Sequence, residues 1–300
     1  EKVQIQAGES GPLVASLLVK SDAPGCHALE REIRLTAGQD VVEIINMVDK
    51  QRLTAPRYHA PRAKESLNFG FPFAIPGGQL RLEVPFGVIR PDADQIPSAC
   101  KNWFTVSRWA DVSNDQFGVT WVTLDAPLVQ VGGLTANLLN SQTNPEVWRK
   151  EVGPTQKIYS WAMNNHWGTN YRAFQEGPHV FRFLLRPHRG YDPAAAARLA
   201  IAAGQPLLPI AAREGQAMAS PPLELSPPDI LVSGLKPSDD GQGLILRLWN
   251  ASARDTRADI ARYEAAPWKL WRSDISERPL EALAGPVSMP PWGIVSLRAE

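Results

Sequence analysis

The sequence lacks the short motifs that mark a self-contained catalytic or cofactor site. Its five histidines fall in no H-x-H, H-x-D or H-E-x-x-H pattern, so no local spacing predicts a metal site. It contains no G-x-S-x-G nucleophile elbow, no phosphate-binding P-loop and no G-x-G-x-x-G turn. These absences argue against a serine hydrolase and a nucleotide-binding enzyme.

Cysteine is also scarce. Cys26 and Cys100 are the only two, and they have no metal-ligand spacing. We expect both to be reduced and buried in the core. The alternative is one long-range disulfide, which would indicate an oxidising compartment.

Net charge and long apolar runs are absent as well. Lys plus Arg equals Asp plus Glu, at 31 each, so neither nucleic acid nor an anionic membrane is predicted as a partner. No apolar run approaches the roughly 20 residues that span a bilayer. The first residues have neither Met nor a signal-peptide pattern. We expect a soluble chain cut from something longer, with its compartment left open.

Proline, in contrast, is abundant, with 27 in 300 residues, often beside glycine at segment ends. Helix interiors reject proline, so this pattern favours short strands and many loops. Several segments alternate apolar and polar residues, which predicts antiparallel hairpins around residues 37–39 and 114–116. In "HVFRFLLRPH", Phe181, Phe183 and Leu185 should share one face, opposite Arg182 and Arg186.

One segment has the pattern of an α-helix. "YDPAAAARLAIAAGQP" offers Asp192 as N-cap, Pro193 at the first helical position and Gly204 as the C-terminal stop. One helix among many strands predicts a β-sandwich with a helix in a connection. The proline-rich "PPLELSPPDI" then suits a domain boundary, and the residues after it could form a small immunoglobulin-like sandwich.

The stretch "WAMNNHWGTNYRAFQEGP", residues 161–178, concentrates tryptophan and side-chain amides. Flat aromatic faces and paired donors and acceptors suit the C–H faces and hydroxyls of a sugar. The same mixture suits a loop whose buried backbone is satisfied by amides. Composition favours the structural interpretation. For Asp92 and Asp94, which could be a glycosidase carboxylate pair, turn-capping is likewise the favoured interpretation.

The segment "YSWAMNNHWGTNYRAFQEGPHVFRF" resembles the Asn-Asn-aromatic-Trp, Thr-Asn, Gln-x-Gly pattern in the C-terminal region of glycoside hydrolase family 38, the α-mannosidase family. His166 departs from it, because the family often has Tyr or another aromatic residue there. Further segments agree in the same order over nearly the whole chain, among them "SDAPGCHALEREIRL", "KESLNFGFPF", "VPFGVIRPDADQIPSACKNWFTVSRWADVSND", "FGVTWVTLDAPLVQVGG" and "LILRLWNASA".

The resemblance implies a mainly β fold. It implies a galactose-mutarotase-like β-supersandwich with one short helix over residues 1–220, then a small immunoglobulin-like β-sandwich over residues 221–300. In the family, zinc and the aspartate nucleophile belong to an N-terminal catalytic part, whose motifs are missing from this sequence. The chain is thus expected to hold no cofactor or catalytic residue of its own, and to pack on a catalytic domain that holds zinc and hydrolyses α-mannosides.

By this analogy, some residues of the Asn/Trp-rich stretch would wall the sugar-binding cleft at a domain surface. The expected substrate-binding residues are Asn164, Asn165, Trp167, Asn170 and Gln175.

Two other functions stay open. An independent carbohydrate-binding module would need exposed tryptophans, whereas strand alternation places most of them in the core. A self-sufficient mutarotase- or lyase-like enzyme would need a converging acid–base set, for which His166 or His179 with Glu176 could be proposed.

Overall fold

A computed structural model describes residues 3–52, 65–136, 148–165, 174–211, 223–262 and 269–300. The chain forms two compact units, Glu1–Tyr191 and Asp192–Glu300. The proline-rich stretch predicts a domain boundary between residues 220 and 221, whereas the compact units divide at Tyr191 and group the helix with the second unit.

The first unit contains two antiparallel sheets. Its strands are β1 (Gln4–Ser10), β2 (Val14–Ser21), β3 (Cys26–Thr36), β4 (Val42–Lys50), β5 (Glu65–Pro72), β6 (Gln79–Val84), β7 (Gly87–Ile89), β8 (Phe104–Thr105), β9 (Trp109–Ser113), β10 (Gly118–Thr123), β11 (Leu128–Val131), β12 (Lys157–Asn165) and β13 (Gly177–His188). Nine strands form a large sheet in the order β1-β2-β3-β4-β13-β10-β9-β6-β7, and four form a small sheet in the order β5-β12-β11-β8.

Both predicted hairpins are confirmed. Strands β3 and β4 pair across a turn in which Gly38 has φ +77°, a conformation that favours glycine. Strands β9 and β10 pair across a turn in which the Asn114 side chain accepts hydrogen bonds from the backbone N–H groups of Gln116 and Phe117.

The two sheets form a sandwich around one hydrophobic core. Phe181 and Phe183 from β13 project inward, as their alternation predicts. They meet Phe69 and Phe71 from β5, with a centroid separation of 5.0 Å between Phe71 and Phe183. Such aromatic packing between facing sheets is what holds a β-sandwich together. The predicted supersandwich class is therefore confirmed.

The second unit begins with helix α1 (Pro193–Gly204). Asp192 caps it, because its side chain accepts a hydrogen bond from the Ala195 N–H at 2.9 Å. The strands that follow are β14 (Leu223–Ser226), β15 (Ile230–Pro237), β16 (Leu244–Asn250), β17 (Thr256–Arg262), β18 (Leu270–Ser273), β19 (Pro279–Leu283), β20 (Val287–Met289) and β21 (Ile294–Ala299).

These strands form a three-stranded sheet, β14-β17-β20, and a five-stranded sheet, β15-β16-β21-β18-β19. Leu248 and Leu297 from the larger sheet share a core with Ala258 and Met289 from the smaller one. The predicted small β-sandwich is confirmed.

Candidate functional site

The outer side of the small sheet, the side away from the core, carries polar and aromatic side chains, of which Gln130 and Trp161 are buried and the others half-buried. In the β5–β12 pairing, Trp161 lies opposite Asn68 and Asn164 opposite Ser66. Directly opposed residues point to the same side of a sheet. Because Ile158 and its partner Phe71 face the core, the intervening Tyr159 faces outward. We call this the outer face, and it comprises Ser66, Asn68, Gln130, Tyr159, Trp161 and Asn164.

Hydrogen bonds fix part of the outer face. Gln130 donates to Asn68 Oδ1 at 3.0 Å, and Asn68 donates to Ser66 Oγ at 3.0 Å. Gln130 is fully buried, and its Oε1 accepts from the Ala136 backbone N–H at 2.8 Å. This chain of amides crosses from β11 to β5 in a fixed orientation, so the polar groups are preorganised.

Two other polar atoms of the outer face are buried with no hydrogen-bond partner among the described residues. They are Trp161 Nε1 and Asn164 Oδ1. The Trp103 ring meets the Trp161 ring edge-on, with a centroid separation of 6.1 Å. Buried polar atoms are normally paired, so each unpaired one calls for an explanation.

Asn165 lies on the core side of β12, unlike its neighbour Asn164. Asn165 is 5% exposed, and its side-chain amide donates to Glu65 Oε1 at 3.1 Å. The other oxygen of Glu65 accepts from Lys50 at 2.8 Å. Asn165 therefore joins a charged cluster with Lys50 and Glu65, whereas Asn164 lies on the outer face.

The remaining predicted residues are separated along the chain. Trp167 and Asn170 lie outside the described residues, as does His166. Gln175 is exposed just before β13. Beside it, Arg52 stacks over the Phe174 ring at 4.3 Å and lies 3.7 Å from Glu176.

Of the two acid–base pairs proposed for a self-sufficient enzyme, His179 with Glu176 is not assembled, and His166 lies outside the described residues. Glu176 lies in an exposed ion pair with Arg52. His179 instead stacks against Phe181, and its Nε2 is buried without a hydrogen-bond partner among the described residues. His179 and Glu176 therefore share no hydrogen bond through which a proton could pass.

Asp92 and Asp94 stabilise a loop. Asp92, at φ +67°, accepts hydrogen bonds from the Val152 and Gly153 backbone N–H groups and lies 2.8 Å from Lys101. Asp94 forms a bidentate pair with Arg90. The hydrogen bonds from Arg90 lower the pKa of Asp94 against the opposing effect of burial. Burial also acts to raise the pKa of Asp92, but the hydrogen bonds from Lys101, Gly153 and Val152 outweigh it and lower that pKa.

A cavity of about 830 Å³ adjoins this loop, lined by glycine, proline and other residues of 77–80, 90–93 and 152–156. Gln156 already bonds to the Ile75 backbone, and Arg90 is bound to Asp94. The cavity thus offers few free polar groups to orient a ligand.

Two buried ionic clusters have no local signal in the sequence. Asp111 is 1% exposed and lies 2.8 Å from His188 Nε2, while His188 Nδ1 lies 2.6 Å from the Gly190 carbonyl oxygen. Glu83, also 1% exposed, lies 3.3 Å from Arg108. Burial raises the pKa of the Glu83 carboxyl even though Arg108 opposes that shift. Their partners are 25 to 77 positions apart, so local spacing gave no signal.

Neither cysteine is bonded to the other. Cys26 and Cys100 are free thiols and half-buried, so the expected reduced state is confirmed but not the expected full burial. Within the described ranges, no group of three His, Cys, Asp or Glu residues could hold a metal ion. In the same ranges no helix is both long and apolar enough to cross a membrane.

Comparisons with known families and structures agree with this architecture. Residues 1–127 match the model "Glycosyl hydrolases family 38 C-terminal domain", and residues 229–297 match "Glycosyl hydrolases family 38 C-terminal beta sandwich domain". Among curated proteins, none matches the sequence.

The fold also matches solved structures. An alpha-mannosidase from Enterococcus faecalis V583 is similar to this chain, with a TM-score of 0.72 and 14% sequence identity. The alignment covers 99% of this chain and 35% of the alpha-mannosidase chain. A glycosyl hydrolase family 38 protein from Enterococcus faecalis aligns with a TM-score of 0.68 and 15% sequence identity, and the alignment covers 99% of this chain and 36% of that protein. The chain thus spans about a third of the length of these two structures.

Proposed function

The chain carries both C-terminal domain types of glycosyl hydrolase family 38 and so belongs to that family, and on this premise we propose that it is the non-catalytic C-terminal part of an α-mannosidase-like enzyme. Its partner would be the catalytic domain of the same protein, and the substrate of the whole would be an α-mannoside. The zinc would be held by that catalytic domain. Nucleic acid and membrane are not proposed as partners.

The observation that carries a role in substrate binding is the outer face of the small sheet. It combines the half-buried ring of Tyr159 with the half-buried amides of Asn68 and Asn164, and Gln130 holds Asn68 by a hydrogen bond. Amide groups match the hydroxyls of a sugar, and aromatic rings match its C–H faces. The unpaired Asn164 Oδ1 is an acceptor that a ligand hydroxyl or an ordered water could satisfy.

We therefore propose that the outer face, together with Trp167, Asn170 and Gln175, which follow β12 in the sequence, helps to wall the cleft of the catalytic domain. Asn165 would contribute differently. Its amide bonds to Glu65 on the core side, so it would support the position of the strand that carries Asn164.

The test is Asn164→Ala in the whole protein, assayed for hydrolysis of an α-mannoside. Removing one hydrogen bond to the substrate should lower kcat/KM by about tenfold. The melting temperature should change little, because Asn164 Oδ1 makes no hydrogen bond among the described residues. Trp167→Ala, made in parallel, should also lower kcat/KM.

Asn165→Ala is the matched control. It should lower the melting temperature, because Glu65 would lose a hydrogen-bond donor while remaining mostly buried. Near-normal kcat/KM in both Asn164→Ala and Trp167→Ala would refute the substrate-binding role.

A further inference from the structure

The large sheet extends beyond the small sheet that covers it. Within the described part of the chain, the residues of β1 and β2 take no part in the hydrophobic core, and β3 contributes only Cys26 and Leu29. Among the described residues of the first unit, no second sheet therefore lies against the inner side of β1, β2 and the far end of β3.

This uncovered side is apolar. Register places Ile5 opposite Val19, Leu17 opposite Ile33 and Leu35 opposite Ala15. Leu35 also lies opposite Val42, which lies opposite Leu185, and Leu185 packs against the core. Because opposed residues share a side of the sheet and residues alternate along each strand, all these side chains project inward. We call this surface the overhang face, and it comprises Ile5, Leu17, Val19, Arg31, Ile33 and Leu35.

Its exposure is large for an apolar surface. Ile5 is 65%, Leu17 47% and Leu35 52% exposed. The opposite side of the same strands is charged and paired within itself, by Lys20 with Glu30 and by Arg34 with Glu9 at 2.7 Å. A contiguous exposed apolar face, on strands whose opposite side is charged and solvated, indicates an interaction surface.

Arg31 gives this surface a chemical preference. Its Nε donates to Asn46 Oδ1 at 2.7 Å, and no carboxylate of the described residues lies within ion-pair distance. Burial lowers the pKa of this guanidinium. Arg31 is a half-buried cation in apolar surroundings. A carboxylate on the molecule that covers this face would pair with it and stabilise its charge.

We infer that the overhang face binds an apolar surface bearing a carboxylate, supplied by the catalytic part of the same protein. This inference rests on the proposed function, and it adds the face that makes the contact. The matching Enterococcus faecalis alpha-mannosidase has about two thirds of its length outside the region shared with this chain, which leaves ample surface for this role.

Two other occupants fit less well. A second copy joined by a two-fold axis would bring two Arg31 cations onto one apolar interface. The segment that follows β4, "LTAPRYHAPRAK" at residues 53–64, is basic and contains no Asp or Glu, so it has no carboxylate to offer.

Hydroxyl-radical labelling compares the 300-residue chain with the whole protein. Labelling of Leu17 and Leu35 should fall by about tenfold in the whole protein, because burial in an interface removes these side chains from solvent. Val180 is the matched control, since it is 50% exposed and lies on the opposite side of the same sheet. Unchanged labelling of Leu17 and Leu35 would overturn the inference. Protection that appears in the 300-residue chain alone as its concentration rises would assign the face to a second copy instead.

Substitutions test the chemistry. In the whole protein, Leu17→Asp should restore labelling of Leu35 by weakening the contact about tenfold or more, whereas Val180→Asp should not. In the 300-residue chain, Leu17→Asp should leave the melting temperature unchanged, which excludes misfolding. Arg31→Glu should also restore labelling, with Arg34→Glu on the charged side as its control. If Arg31→Glu had no effect, the carboxylate would be refuted.

The two proposals fail separately. Protected Leu17 and Leu35 in a whole protein without α-mannosidase activity would refute the proposed function and keep the interface. α-Mannosidase activity in a whole protein whose Leu17 and Leu35 are not protected would refute the interface and keep the proposed function.

Discussion

At the scale of single residues, two neighbouring asparagines differ because a strand alternates. Asn164 faces outward and Asn165 faces the core, where Glu65 holds it. A β-bulge between Trp161 and Met163 sets this phase. Composition alone groups the two asparagines together, and only the register separates them.

His188 is held by two oxygen acceptors, the Asp111 carboxylate and the Gly190 carbonyl. A neutral imidazole can donate from only one nitrogen, so the protonated ring satisfies both acceptors. The hydrogen bond to Asp111 raises the pKa of His188, against the opposing effects of burial and of the Arg186 charge. This side chain therefore links the stability of the first unit to pH.

We expect the first unit to lose stability as pH rises. The folded-state pKa of His188 lies above the unfolded value of about 6.5. Its contribution is therefore fully present below about pH 6.5 and is lost as pH rises through the folded-state pKa. His188→Gln should lower the free energy of unfolding by about 1–3 kcal/mol at low pH and flatten this decline. Urea unfolding from pH 5.5 to 9 measures both effects.

His27→Gln is the control, because His27 is exposed and should leave the decline intact. A His188→Gln variant whose stability still falls as steeply as that of the parent chain would show that another group titrates.

At the scale of secondary-structure elements, local sequence patterns were sufficient to predict the two hairpins and the helix. Alternation predicted the β3–β4 and β9–β10 hairpins, and Gly38 and Asn114 supply the turns. Helix α1 begins after Asp192 and ends at Gly204, as its capping pattern predicts. Such signals are readable because the interactions that decide them lie within a few residues.

Asp192→Ala should destabilise the second unit. The substitution leaves the Ala195 N–H without its side-chain acceptor, at a cost of about 0.5–2 kcal/mol in the free energy of unfolding. Asp192→Ser retains a capping oxygen and should recover most of the loss. Denaturant unfolding of both variants measures the difference. Equal stability of Asp192→Ala and Asp192→Ser would contradict a capping role.

At the scale of the whole molecule, each unit has its own hydrophobic core. Leu82 is fully buried in the first and Leu297 in the second. Separate cores in separate compact units allow separate unfolding transitions. The overhang face belongs to this scale too, because it arises from the difference in width between a nine-stranded and a four-stranded sheet.

Leu82→Ala should therefore lower the temperature of the first unit's unfolding transition, and Leu297→Ala that of the second unit's. Each removes a fully buried side chain and should cost its own unit about 2–5 kcal/mol. The other unit should change by less than about 0.5 kcal/mol. Differential scanning calorimetry measures both, with Leu280→Ala at an exposed position as control. A single transition lowered equally by both substitutions would contradict independent cores.

The sequence by itself determined the mainly β class, the helix, the hairpins and the family. Each depends on residues close in the chain, or on an ordered series of short matches. Only the tertiary structure decided that Asn164 and Asn165 face opposite sides, that His188 meets Asp111 across 77 positions, and that Arg31 lies on an uncovered apolar face. The physical reason is that strand register, sheet width and burial are set by pairings between distant segments, which no local pattern encodes.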